Sequence, residues 1–202
     1  MHPLSTSRYG RFRFDAGSLA LNFVATVRHR GSRPRDLLSS PERLVRWFGL
    51  AAPHIAVSAV SAGDHEKALL LREAVHRTLR SLIRNEPPDP RDVDLVNEWA
   101  SHPPSHPRIE TPSIEVRWVC ADPAGSVLSE IARDAVTIIG SGARSRLKMC
   151  DSESCRMLFL DNSPPNRRRW CAMSICGNRE KIRSFRSRKK ESERKGPSFD
   201  GR

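Results

Sequence analysis

Four cysteines toward the C-terminal end constrain the fold of this chain more than any other feature of its sequence. Cys150 and Cys155 have four residues between them, fifteen residues follow, and Cys171 and Cys176 repeat the spacing of the first pair. Structural zinc takes four nitrogen or sulfur ligands in a tetrahedron, commonly supplied as two local pairs. The last histidine is His106, so the site would be all-thiolate, and four protein ligands leave no open position for catalysis. The spacing therefore predicts one structural Zn²⁺.

Two other interpretations of the four cysteines stay open at this point. They could be free thiols whose paired spacing is accidental, or they could hold an iron–sulfur cluster, which also takes four thiolates. Many charged residues surround the cysteines and nothing in the sequence suggests a redox partner, so zinc is favoured over a cluster. A fifth cysteine, Cys120, follows a predicted strand and is expected to be a buried core thiol.

The residues around the cysteines predict a small module over 141–190. Residues 157–160 favour a strand, residues 161–166 are dense in turn-forming residues, and residues 167–170 can return as the second strand of a hairpin. Residues 180–190 suit a helix. One cysteine pair before a hairpin and one at the start of a helix indicate a treble-clef-like zinc finger. Zinc explains how so short a module folds, since apparent binding free energies are on the order of 10–16 kcal/mol.

The positive charge of the chain is concentrated in the same C-terminal part. The net charge is +12, and residues 141–202 hold 17 Lys and Arg against 7 Asp and Glu, which is +10. Residues 1–140 hold 18 against 16, which is only +2. Such an asymmetry indicates a polyanionic partner, most often nucleic acid, although a solvated basic tail has the same composition. Residues 191–202 are expected to form a disordered basic tail.

Candidate contacts with nucleic acid lie on the predicted hairpin and on the predicted helix. Steps of four, three and four residues bring one row of basic side chains onto a common helix face. That row consists of Arg179, Arg183, Arg186 and Lys190. Ile182 and Phe185 lie on another face and are expected to pack against the zinc core. Asn178 could read a base, but it and Gly177 are expected rather to serve the turn into the helix. The full candidate set is Arg167, Arg168, Arg169, Asn178, Arg179, Lys181, Arg183, Arg186, Arg188 and Lys190.

Residues 1–140 predict one α+β domain that is mostly helical. Residues 64–83 give the clearest helix, because apolar residues recur there at three- and four-residue steps. The predicted buried stripe is Ala68, Leu71, Val75, Leu79 and Leu82. Arg72 is expected to face outward. Other predicted elements are helices that begin at Ser40-Pro41, Asp89-Pro90 and Asp122-Pro123, strands at 11–14 and 114–118, and a helix or strand at 19–27.

Composition and motifs disfavour membrane proteins and enzymes. No stretch approaches the roughly 18 continuous apolar residues of a membrane span. Residues 1–10 are polar and lack the apolar core of a signal peptide, so a cytoplasmic protein without a membrane partner is expected. The histidines of residues 1–140 show no metal-ligand or nucleophile spacing, so catalysis is not expected.

The cysteine-rich segment resembles a known family, the CGNR zinc finger. The matching pattern is Cys-x4-Cys-x3-Phe159-Leu160-Asp161, then Arg169-Trp170-Cys171-x-Met173-x2-Cys176-Gly177-Asn178-Arg179-x-Lys181. That finger is usually found downstream of a domain called ABATE, which is regarded as a stress-induced transcription regulator. Residues 21–26, Leu-Asn-Phe-Val-Ala-Thr, resemble the ABATE opening Leu-Asp-Phe-Val-Asn-Thr with two replacements, and residues 71–75 also fit.

The resemblance implies a transcription regulator whose zinc finger and basic helix bind duplex DNA, so that the protein associates with the nucleoid in the cytoplasm. The N-terminal domain is then expected to sense a small molecule or to bind a partner protein. An RNA-binding or protein-interaction adaptor is the alternative, because treble-clef folds host several uses and fold does not fix function.

Overall fold

Six α-helices, a 3-10 helix (Gly142–Arg146), a π-helical turn (Met173–Gly177) and three short two-stranded sheets make up the described part of the protein. The structure is a computed structural model that describes residues 12–194. The helices are α1 (Leu19–Val24), α2 (Pro41–Ala51), α3 (Ala62–Ile83), α4 (Pro90–Ser101), α5 (Pro123–Gly140) and α6 (Asn178–Arg194). The strands are β1 (Val27–Arg28), β2 (Arg35–Asp36), β3 (His106–Glu110), β4 (Glu115–Val119), β5 (Leu147–Met149) and β6 (Leu158–Leu160). This content confirms the predicted α+β class with a mostly helical N-terminal part.

Helix starts follow local side-chain chemistry. Ser61 caps α3 by accepting a hydrogen bond from the Asp64 amide, and Asp122 caps α5 by accepting one from Gly125. Proline occupies the first turn of α2, α4 and α5, where its missing N–H costs nothing. The undecided segment 19–27 divides into α1, capped by Ser18, and the short strand β1.

The structure differs from the prediction near both ends of the chain. Residues 12–15 form no strand, and Arg11 lies outside the described residues. At the other end α6 continues through Arg194, so residues 191–194 of the expected tail are helical. Residues 195–202 lie outside the described part of the chain, and their disorder stays a prediction.

The central helix pair α3 and α5 forms the core, and α1 and α4 pack against both. The largest fully buried side chains include Phe23, Leu71, Leu79, Leu128 and Ile131. The same apolar cluster continues into the zinc-binding segment through Cys150, Leu158, Phe159 and Cys171. A backbone hydrogen bond of 2.8 Å from the Leu160 amide to the Ala16 carbonyl fixes β6 beside the start of α1. The core therefore crosses the predicted boundary near residue 140.

Arg72 contradicts the expectation that the arginines of α3 face outward. It is only 3% exposed, and its guanidinium donates two hydrogen bonds of 2.7 Å to the carboxylate of Asp36. Glu73 beside it accepts hydrogen bonds from Arg30. Helical periodicity could not predict the burial of Arg72. It depends only on the residue types along the helix, whereas the partner of Arg72 lies 36 residues away in the sequence.

The β3–β4 ribbon carries the predicted alternating strand, but its apolar side is not a core face. Ile109 pairs with Val116 in the antiparallel register, and both are well exposed, at 64% and 63%. Cys120 follows β4 and is half-buried at the margin of the core, so its predicted burial is only partial.

Among residues 12–194, no helix combines the length and apolar character that crossing a membrane requires.

Candidate metal centre and basic helix

The first cysteine pair lies in the connection between β5 and β6. These strands pair antiparallel, with Leu147 opposite Leu160, and residues 150–155 form the turn, here called the zinc knuckle. The Cys150 amide donates to the Met157 carbonyl over 2.8 Å, which closes the knuckle at its base.

The predicted hairpin, in which residues 157–160 pair with residues 167–170, is wrong. Strand β6 pairs with the preceding β5, and residues 167–170 form no strand. The segment between them is held by Asp161, a fully buried carboxylate that accepts from Lys148 and from the Arg168 amide, each over 2.7 Å.

The second cysteine pair lies directly before α6. Residues Met173–Gly177 form a π-helical turn that contains Cys176, and Cys171 precedes it. Gly177 lies against the Met173 side chain: a Cβ there would lie 2.4 Å from the Met173 Sδ, so this half-exposed side chain would have to move for a larger residue. The last ligand is thus followed at once by the first residue of α6, Asn178.

The four sulfurs have the spacing of ligands around one ion. All four Sγ atoms lie within 4.8 Å of one another, with Cys155 to Cys171 at 3.8 Å and Cys171 to Cys176 at 3.7 Å. Zinc–sulfur bonds of about 2.3 Å in a tetrahedron require sulfurs about 3.8 Å apart. The structure therefore brings together every predicted ligand, in a geometry that suits a single zinc better than a multi-iron cluster.

The electrostatics of the site also call for a cation. Hydrogen bonds from the neighbouring thiols lower the pKa of Cys171, while hydrogen bonds within the same group raise the pKa values of Cys155 and Cys176. A hydrogen bond with Cys155 lowers the pKa of Cys150 to about 7 as well, so two of the four sulfurs take negative charge at the expense of the other two. A Zn²⁺ removes this competition because it binds all four as thiolates.

Two arginines contact Cys171, and one of them, Arg13, would offset part of the negative charge that four thiolates leave around zinc. Arg13 donates from Nη1 to the Cys171 Sγ over 3.5 Å. Burial alone would lower the pKa of Arg13, but Asp15 and Cys171 outweigh it and raise this pKa above its ordinary value. Arg168 donates to the Cys171 carbonyl, and its guanidinium lies over the Phe159 ring at 5.1 Å.

The three candidate arginines of residues 167–169 therefore differ. Arg167 is exposed. Arg168 is half-buried and engaged with the fold, which favours a structural role over the predicted contact with nucleic acid. Arg169 is exposed and pairs with Asp151 over 2.8 Å.

The candidates at the start of α6 lie against the zinc knuckle. The Asn178 amide group donates to the Ser174 carbonyl over 3.2 Å, in keeping with its expected service to the turn. Arg179 donates to the Ser154 hydroxyl, and Arg183 donates to the Glu153 carboxylate, both over 3.2 Å. These bonds orient the helix relative to the metal site.

Three of the four remaining candidates are exposed to solvent. Lys181 and Arg186 are exposed, and Arg188 is exposed with a hydrogen bond to its own helix at Ser184. The side chain of Lys190 lies outside the described residues.

Ile182 and Phe185 do not pack against the zinc core, contrary to expectation. Their exposed fractions are 54% and 63%, and every side chain from 181 to 189 is exposed. The reason is that α6 makes its main contact with the π-helical turn at its own start and then extends away from the body.

Sequence reasoning missed two basic groups near the metal site. Arg13 lies far from the cysteines in sequence and shows no local signal. The β1–β2 loop carries four arginines within residues 28–35, and the nearly neutral total for residues 1–140 hid them.

Comparison with known proteins identifies both parts of the chain. The sequence model of the ABATE family, "Putative stress-induced transcription regulator", matches residues 17–142, and that of the CGNR zinc finger matches residues 146–189. Both families are of a regulatory or zinc-finger type. No curated protein was found to match the chain. The ABATE match covers more than half of the 202 residues. The chain therefore belongs to the ABATE family, and its residues 146–189 form a CGNR zinc finger whose four clustered cysteines form a structural zinc site.

Proposed function

We propose that this protein is a transcription regulator that binds duplex DNA through α6 and the neighbouring zinc module. One observation carries the proposal: all nine side chains from 181 to 189 are exposed, and five of them are Lys or Arg. A solvent-exposed basic helix fixed at one end is suited to a groove or to a run of phosphates.

Within this proposal the exposed cations have different roles. Lys181, Arg186 and Arg188 extend from α6 and would bind phosphates or, for the arginines, a guanine edge. Arg167 and Arg169 add phosphate contacts beside the helix. The phosphate contacts would position the protein on the DNA. They would not select a sequence, because phosphates carry no sequence information by themselves.

Zinc supplies structure in this mechanism and no chemistry on a substrate. Four cysteine ligands leave no open coordination position. With zinc bound, Cys176 would tie the first residues of α6 to the segment between β5 and β6, so that the helix would leave the body in one fixed direction. A preoriented helix loses less conformational entropy on binding than a free basic tail.

We assign DNA binding to residues 141–190 and signal sensing, of a small molecule or a partner protein, to residues 1–140, in a protein that acts at the nucleoid in the cytoplasm. A shallow depression that is largely open to solvent lies where the end of α3 meets residues 141–147, and it is the place we assign to a small-molecule signal. Its lining includes Leu82, Ile83, Asn85, Arg144 and Leu147. A ligand there would contact both family-matched segments.

A second candidate function, a protein-interaction or RNA-binding adaptor, rests on Ile182 and Phe185. Their exposure gives α6 an apolar stripe between its basic side chains. Such a stripe fits an apolar groove on an acidic protein partner.

The deciding experiment compares binding of the zinc-loaded protein to duplex DNA, RNA and an acidic protein over a range of salt concentrations. We expect the tightest binding to duplex DNA and a steep fall with salt, because each phosphate contact releases counterions. The variant K181Q/R186Q/R188Q should reduce the salt slope by roughly 2.7. The matched control R46Q/R84Q/R91Q removes three exposed charges from helices or helix ends of the N-terminal part. A flat salt response, or equal slopes for both variants, contradicts the proposal, and preference for RNA or protein favours the adaptor.

A further inference from the structure

The β1–β2 loop of the N-terminal part lies directly on the zinc knuckle. Gly31 approaches it so closely that a Cβ there would lie 1.7 Å from the Glu153 carbonyl oxygen. The Ser32 hydroxyl donates to the next carbonyl, that of Ser154, over 3.4 Å. The loop therefore contacts the backbone of the zinc knuckle directly.

Side chains of the same knuckle form hydrogen bonds with side chains at the start of α6. Ser154 accepts from Arg179 through its hydroxyl, Glu153 accepts from Arg183, and the Ser152 hydroxyl donates to Glu180 over 3.2 Å. The loop and the helix thus share one support of three residues, 152–154. Their basic side chains are placed on adjoining surfaces as a result.

The imidazole of His29, in the β1–β2 loop, is affected by charges from both elements. Burial lowers the pKa of His29, and the positive charges of Arg179, Arg28 and Arg35 lower it further. Arginines from α6, β1 and β2 therefore act on one side chain.

The loop and the strand residues that flank it are basic, and no acidic residue of this segment offsets their positive charge. Residues 28–35 contain four arginines and no Asp or Glu. Arg30 is engaged with Glu73, whereas Arg33 and Arg35 are exposed. The nearest carboxylate in sequence, Asp36, is held by the buried Arg72. Like charges this close repel one another in the free protein, and a polyanion on the surface relieves that repulsion.

We infer that the β1–β2 loop is a second contact for the same nucleic acid, with Arg33 and Arg35 binding backbone phosphates beside those bound by α6. The inference rests on the proposed function and extends it, because it assigns part of the DNA-binding surface to the ABATE-matched region. The zinc knuckle then fixes the distance between the two contacts.

The test measures how strongly salt weakens the binding of the zinc-loaded full chain to a short DNA duplex of mixed sequence. In R33Q/R35Q the slope should fall by roughly 1.8, because two phosphate contacts are lost. The control R108Q/R117Q removes two exposed charges from the β3–β4 ribbon and should leave the slope unchanged. Zinc content and thermal unfolding of each variant should match the unsubstituted protein.

The outcomes separate this inference from the proposed function. If K181Q/R186Q/R188Q lowers the slope and R33Q/R35Q behaves like R108Q/R117Q, the loop is no contact and only the inference is overturned. If the unsubstituted protein does not bind duplex DNA, both are overturned. A lower slope for R33Q/R35Q alone supports the loop and moves the DNA contact away from α6.

Discussion

The Arg13 guanidinium donates a hydrogen bond to the Sγ of Cys171 over 3.5 Å, although 158 residues separate the two in the chain. Arg13 precedes α1, and the Ala16 carbonyl three residues later accepts from the Leu160 amide in β6. The N-terminal segment therefore contributes both to the sheet next to the metal and to the environment of one sulfur. The zinc site is completed by residues from outside the CGNR match.

Replacing Arg13 with Gln should weaken zinc binding, because a thiolate ligand loses a charged donor. Outer partners of metal ligands commonly contribute about 10- to 100-fold to affinity, and we expect the dissociation constant to rise within that range. Competition with a chelator of known affinity measures it. D15N keeps the donor to sulfur and should change zinc affinity less, and R46Q should not change it. Equal affinities for R13Q and R46Q would show that the contact is irrelevant to the metal.

Cys171→Ser should reduce the bound zinc well below one ion per chain, as measured by elemental analysis. Because one apolar cluster includes Cys171, Phe159 and the buried residues of α1, we also expect hydrogen exchange to accelerate in α1. Cys120→Ser alters a cysteine outside the four-cysteine metal site and should leave both measurements unchanged. Full protection of α1 in the zinc-depleted variant would mean that the two parts fold independently.

Gly31→Ala should destabilise the protein by about 1–3 kcal/mol, because the new methyl group cannot fit against the Glu153 carbonyl. Gly49→Ala on α2 is the matched control. It has open space around its Cβ, and removing glycine from a helix should stabilise by about 0.5–1 kcal/mol. Denaturant unfolding of both variants gives the free energies, and a neutral Gly31→Ala would refute the close packing of loop and knuckle.

Acid should destabilise the protein partly through Glu73. Burial alone would raise the pKa of this carboxyl, but hydrogen bonds and charge interactions with Arg30 and Arg72 outweigh it and lower the pKa from 4.5 to about 2. A depressed folded-state pKa stabilises above the unfolded value, so this contribution is complete above about pH 4.5 and is lost as the pH falls toward 2.

The loss attributable to Glu73 should be on the order of 1–3 kcal/mol, since the carboxylate is only partly exposed. Unfolding free energies measured from neutral pH down to about pH 2.5 test it, and Glu73→Gln should remove that part of the pH dependence. A variant with the same pH dependence as the unsubstituted protein would exclude Glu73 as a source.

Local chemistry made part of this protein predictable. The cysteine spacing predicted the metal centre because ligand type and coordination number are properties of a few residues close in sequence. Helix α3 followed from apolar periodicity, and α4 and α5 followed also from their Asp-Pro starts; both signals act within one or two turns. The concentration of positive charge in residues 141–202 predicted that this part of the chain binds a polyanion, because net charge is also a property of the local sequence.

Contacts between distant segments were decided only by the tertiary structure. The pairing of β6 with β5, the burial of Arg72 against Asp36, and the support of Cys171 by Arg13 each join residues whose own sequence neighbourhoods give no signal. The exposure of Ile182 and Phe185 is of the same kind, because a helix face becomes buried only if another element covers it. Sequence determined which groups this protein has for holding zinc and carrying positive charge, and the packing of the core decided which of them meet.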